Sequence, residues 1–214
     1  MHNYMTIIII AVTAVISILA FSKPRLMDKL LLSPYLMVRS KEWHRLITHA
    51  FVHADYMHLI VNMIVLLSFG RNIEIILEQL ALSGYISSPP LHFLTLYFGG
   101  AVIASLTTIR KHRNNYYYRS VGASGAVSAV VFTSIFFQPL SNLYIMGILP
   151  IPGILFGVAY LWYSHYMSRK SNDNINHDAH FLGAVFGFIY PLLISPSLIR
   201  VFISELGVLR FFGG

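Results

Sequence analysis

The chain has 214 residues, 56% hydrophobic and 11% charged, with a formal charge of +7 and a mean hydropathy of +0.66. Soluble domains carry about 25% charged residues, so this composition describes a bilayer protein, long enough for about six spans of roughly 20 residues in one bundle. Cysteine is absent, which excludes disulfides, thiolate nucleophiles and cysteine-bound metal; the basic residues sit in loops between apolar runs, which points to lipid headgroups and not to nucleic acid.

The first apolar run, residues 5–21, has no basic stretch before it and no small-residue cleavage site after it, and reads as a retained helix. Residues 22–53 mix six Lys and Arg with Leu30-Leu31-Leu32 and Trp43, a pattern suited to amphipathic pieces in the interface. A second span covers residues 55–69 and ends at Gly70-Arg71. The third covers 91–109, after the helix stop Ser87-Ser88-Pro89-Pro90, and its Gly99-Gly100 pair admits a neighbouring backbone. The fourth covers 122–138, the fifth 152–167 after Pro150-Ile151-Pro152, and the sixth 177–194. The tail, 195–214, repeats apolar residues at helical spacing but carries Arg200, Glu205 and Arg210, and reads as an interfacial helix. The expected architecture is all-α: one polytopic membrane domain, residues 1–214, with six transmembrane helices.

Polar groups inside spans are costly, so each needs a reason. His58 and Asn62 lie four residues apart on one helix face; they form either a helix-packing hydrogen-bond pair or donors to a developing oxyanion. Ser124, in Gly122-Ala123-Ser124-Gly125, stands where a helix begins, so its backbone N–H is an unpaired donor at the positive helix end. Taken alone it reads as an N-cap or a small packing residue. His180 changes that reading. Gly183 and Gly187 follow it on one stripe, a close-approach face that lets the sixth span meet the fourth beside Gly125, bringing imidazole and hydroxyl within reach.

No acidic residue in a span is placed to orient the imidazole, since Asp178 points elsewhere and Asp173 lies in a loop, so a dyad is expected in place of a triad. A metal centre is the chemical rival, because His49 and His53 have i, i+4 spacing, His58 is near and His177 adjoins His180. The Glu that a zincin helix needs after its first His is missing, and neither a metal nor an organic cofactor is expected. A transporter is disfavoured by the lack of paired membrane carboxylates or a half-helix repeat.

The sequence resembles the rhomboid family of intramembrane serine proteases. The resemblance runs through Trp43-His44-Arg45-Leu46-Ile47-Thr48 with His53, His58-Leu59-Ile60-Val61-Asn62-Met63, Gly70-Arg71 with Glu74, Gly122-Ala123-Ser124-Gly125, and Ala179-His180 with Gly183 and Gly187. It implies Ser124 as nucleophile, His180 as general base, and His58, Asn62 and the Ser124 amide as oxyanion donors. It further implies structural roles for Arg45 in the first loop and Glu74 at the end of the second span. The implied fold is a six-helix bundle with a water-filled cavity open to one face, and the implied partners are the lipid bilayer and single-span or multi-span membrane proteins cut in or near a transmembrane segment. A catalytically silent relative that binds such clients is the alternative.

Three features depart from the family pattern or pull against it. Ser128 occupies a position often aromatic in the family, where the ring packs on the catalytic imidazole; Phe181 and Phe132 are the candidate replacements. The link 77–90 is long and contains prolines. Finally, residues 22–53, 110–120 and 168–176 fall on one face and hold twelve of the fifteen Lys and Arg, which by the positive-inside rule argues for a cytoplasmic face. The resemblance implies the reverse, and the expected location is a bacterial inner membrane with the site opening away from the cytoplasm.

Overall fold

The computed structural model describes residues 4–145, 148–170 and 175–207. Helix α1, Met5–Ser22, turns Thr6, Ile9, Thr13, Ser17 and Ala20 inward and leaves Ile7, Ile8, Val15 and Ile18 exposed. That inverted pattern is what lipid demands, with branched apolar side chains outward and small or hydroxylated ones at the helix contacts. Three short helices follow, α2 (Pro24–Leu30), α3 (Pro34–Ser40) and α4 (Arg45–Thr48), then a 3-10 turn at His49–Phe51. Arg45 is buried and pins this segment: its guanidinium donates to the carbonyls of Asp28 (2.6 Å) and Leu31 (2.7 Å) and pairs with Glu42 at 2.6 Å.

Helix α5, Tyr56–Leu82, starts where the Asp55 carboxylate accepts from the His58 amide at 2.7 Å. It runs well past the expected stop at Gly70-Arg71, and the link to the next helix shrinks accordingly. The charged continuation has a partner: Glu74 is buried and accepts from the amides of Met5 (2.6 Å) and Thr6 (3.2 Å), placing a carboxylate on the positive end of α1. Helix α6, Pro89–His112, opens with proline in its first turn and closes on Arg110, Lys111 and His112, which suit its negative end.

Helix α7, Ser124–Phe137, is the centre of the molecule. Every residue from Gly125 to Phe137 is buried, and α5, α6 and α9 pack around it. A hairpin of β1 (Asn142–Ile145) and β2 (Leu149–Pro152) joins it to α8, Gly153–Lys170, so the bundle carries a small antiparallel element that an all-α expectation omits. Helix α9, His177–Ile194, matches the expected sixth span and begins where the Asn176 side chain accepts from the Ala179 amide at 3.1 Å. The tail forms a 3-10 turn at Pro196–Leu198 and helix α10, Ile199–Glu205. It packs on the bundle instead of only lying in the interface: Leu198 is buried, and Phe202 stacks on Phe136 and meets Phe188, each at 5.3 Å.

The chain is therefore a helical membrane bundle. Among the described residues four helices, α1, α5, α6 and α9, are long and apolar enough to cross a bilayer. Helix α7 has 14 residues, about 21 Å at 1.5 Å per residue, short of a hydrocarbon core of about 30 Å. Its burial explains this, since a helix ringed by others need not match the lipid. Helix α8, the expected fifth span, buries only Gly153, Gly157 and Ser164, turns Leu155, Val158 and Trp162 outward, and ends on Arg169 and Lys170.

Candidate active site

The contact between α7 and α9 is set by residues without side chains. A Cβ on Gly183 would overlap the Gly125 carbonyl, and one on Gly187 would overlap that of Ala129. The Thr133 hydroxyl, donating to the Gly187 carbonyl at 2.7 Å, ties the same seam. With the backbones this close, side chains at the N-terminal ends of the two helices meet: Nε2 of His180 lies 2.9 Å from Oγ of Ser124. Both residues are half-buried, at the end of the bundle beneath the first connecting segment. Asp178 turns to Lys111, whose ammonium it binds at 2.5 Å. Asp173 lies outside the described residues.

The loop before Ser124 is held by the segment between α1 and α5. Leu32 and Ser120 exchange backbone hydrogen bonds at 2.9 and 3.1 Å, and the Gly122 amide donates to the His49 carbonyl at 3.0 Å. The Ala123 amide donates to Nε2 of His53 at 3.3 Å, while Nδ1 of His53 lies 2.9 Å from the Ser17 hydroxyl, which itself donates to the Phe51 carbonyl at 2.8 Å. That chain of donors assigns the His53 proton to Nδ1. Burial pushes His49 down to about 4 and His53 down to about 3 from an ordinary 6.5, so both are neutral at physiological pH. Each is engaged on its own partners, His49 donating from Nδ1 to the Arg45 carbonyl at 2.8 Å. The i, i+4 spacing that suggested a ligand pair falls across a 3-10 turn and an extended residue. Among the described residues no three His, Asp or Glu converge as a metal centre.

His58 faces this loop from the first turn of α5. Gly122 has φ +116°, a left-handed conformation open to glycine, and a Cβ there would lie 2.6 Å from Cε1 and 2.8 Å from Nε2 of His58. The missing side chain is thus the space the imidazole occupies beside the nucleophile loop. Asn62, one turn on and buried, donates one amide hydrogen to the His58 carbonyl at 2.9 Å; the amide carries a second. The Ser124 amide starts α7 and has no carbonyl a turn earlier to receive it.

The ring beside His180 comes from neither expected phenylalanine. Tyr160 of α8 lies nearly parallel to the imidazole, with centroids 6.2 Å apart and planes at 16°. Its hydroxyl sits 2.8 Å from that of Ser128. Phe132 packs on Tyr160 at 5.5 Å, and Phe181 turns instead to His165 at 5.8 Å. The spacing of the rings on α8 does not single out Tyr160, since Trp162 and Tyr166 lie one turn apart on a common face just as Phe156 and Tyr160 do.

The Rhomboid domain family matches residues 40–197. "RHOMBOID-like protein 12, mitochondrial" of Arabidopsis thaliana is 30% identical across 68% of this chain and 45% of its own length. "Putative rhomboid protease YdcA" of Bacillus subtilis is 28% identical across 73% of this chain and 69% of its own. "Rhomboid protein 1, mitochondrial" of Saccharomyces cerevisiae is 26% identical across 72% and 42%. The match thus spans less than half of the Arabidopsis and yeast proteins.

Proposed function

The chain belongs to the rhomboid family, and from that premise we propose that it is an intramembrane serine endopeptidase working with a Ser124–His180 dyad. The observation that carries this reading is the 2.9 Å approach of His180 Nε2 to Ser124 Oγ within a membrane bundle. In the proposed reaction His180 takes the Ser124 proton as Oγ attacks a peptide carbonyl. The Ser124 amide, His58 and Asn62 donate to the oxyanion that forms. His180 then passes its proton to the leaving amine, and water, activated by the same imidazole, hydrolyses the acyl-enzyme and restores the hydroxyl.

The substrates proposed are single-span or multi-span membrane proteins. A helical peptide bond is shielded by its own turn, so the segment must partly unwind, and helix-weakening residues near the cut are expected. Entry beside α8 is supported by that helix's shallow packing, with only Gly153, Gly157 and Ser164 buried. No cofactor takes part in the reaction as written. For location, the reading is a bacterial inner membrane with the site facing away from the cytoplasm, supported by the Bacillus relative and the family orientation. The mitochondrial names of the other two relatives and the twelve basic residues on the site face pull the other way. Reporter fusions within residues 168–176 decide the orientation.

The test is cleavage of a panel of single-span substrates by purified protein in lipid vesicles. Cleavage by the unaltered chain with none by Ser124→Ala supports the protease. Persistent cleavage by Ser124→Ala refutes it, and a chain that binds the substrates without cutting them is the silent alternative.

A further inference from the structure

The serine at position 128, where this chain departs from its family pattern, stands in an aromatic cluster beside His180. Position 128 on α7 carries serine, and the volume a ring would take there is filled from the facing helix. Tyr160 of α8 reaches across, its hydroxyl 2.8 Å from that of Ser128 and its ring tilted against Phe132 and Phe156 at centroid distances of 5.5 and 5.6 Å. These three contacts hold the ring. It lies nearly parallel to the imidazole with centroids 6.2 Å apart, within the range where aromatic pairs attract. Ser128 and Tyr160 therefore read as an exchange of parts between two helices, a small hydroxyl on one and a ring on the other.

We infer that Tyr160 is a positioning residue that orients the His180 imidazole toward Ser124. This deepens the protease reading and rests on it for its functional consequence. Because α8 is the shallowly packed helix, the orientation of the base depends on that helix being closed against α7.

The test compares the unaltered chain with Tyr160→Phe, Tyr160→Ala, Ser128→Phe and the Ser128→Phe/Tyr160→Ala pair in lipid. Three readouts are followed: the rate of Ser124 labelling by a fluorophosphonate across pH, cleavage of a single-span substrate, and the histidine ring resonances of isotope-labelled protein, with His180 identified by substitution. Tyr160→Ala is expected to lower labelling about fivefold, the effect of one aromatic pair, and to displace the acid limb of the pH profile. Tyr160→Phe, which keeps the ring, is expected to lose less than about twofold. The paired variant, with a ring back on α7, is expected to recover most of the loss while Ser128→Phe alone does not exceed the unaltered chain. The His180 resonance moves in Tyr160→Ala and stays in Tyr160→Phe. An unmoved resonance, or Tyr160→Ala labelling with an unchanged rate and pH profile, overturns the inference. A chain that neither labels nor cleaves while the resonance still moves overturns the protease reading and leaves the ring support standing.

Discussion

The His180 imidazole and the Ser124 hydroxyl meet at 2.9 Å although 56 positions separate them in sequence, because α7 and α9 touch backbone to backbone at Gly125–Gly183 and Ala129–Gly187. In lipid there is little hydrophobic drive to bring helices together, and close packing of small residues supplies the attraction. The geometry of the site is thus written in residues that have no chemistry of their own.

A methyl group on that seam should open the site. Gly187→Ala inserts a Cβ where the Ala129 carbonyl lies, forcing the helices apart by part of an ångström or more. Loss of activity of about a hundredfold is expected from such misplacement, with the protein still inserted in the membrane. Full activity in Gly187→Ala would show that the seam does not set the Ser124–His180 distance.

Removing an oxyanion donor should act on the chemical step. His58→Ala and Asn62→Ala are each expected to lower kcat by about a hundredfold with KM little changed, the signature of an interaction made in the transition state. Steady-state kinetics in vesicles check this; a rise in KM alone would move both residues to substrate binding.

Acid should loosen the loop that carries the nucleophile. Burial holds His49 at about 4 and His53 at about 3, whereas both return to about 6.5 when the chain unfolds. Between these limits the unfolded chain binds more protons, so stability rises with pH there and is complete above about 6.5. At pH 5 each histidine should cost about 2 kcal/mol relative to pH 7. Unfolding midpoints at the two pH values, for the unaltered chain and His53→Gln, measure the effect. The variant starts less stable but loses less on acidification; an equal loss would contradict the assignment.

Arg45 should not tolerate lysine. Its fork spans the Asp28 and Leu31 carbonyls and the Glu42 carboxylate while buried, a geometry an ammonium cannot reproduce. Arg45→Lys is expected to destabilise the chain by about 2 kcal/mol, read as an earlier unfolding midpoint. An unchanged midpoint would mean the first segment is held elsewhere.

What could be read from sequence was whatever a single helix determines. His58 and Asn62 share a face by spacing alone, the stripe of Gly183 and Gly187 is visible without a partner, and α9 begins and ends where its polar flanks say. The sequence marks a stop at Gly70-Arg71, whereas α5 continues to Leu82 because its charged extension, Glu74, is satisfied by the start of α1, a tertiary fact. The hairpin at Asn142–Pro152 lacks a periodic signal, and its prolines resemble a helix boundary. His53 bridges Ser17 and Ala123 across three segments, and Tyr160 stands over His180 from a helix that shows no mark of facing it. Pairings between elements were beyond the reach of one sequence without its packing.

The most direct measurement of the central claim is covalent labelling of the protein in lipid by a serine-directed fluorophosphonate, with the modified residue identified by peptide mass. Labelling at Ser124 that disappears in His180→Ala is the predicted result. No labelling of the folded chain, or labelling of Ser124 that is indifferent to His180→Ala, would contradict a hydroxyl activated by that imidazole.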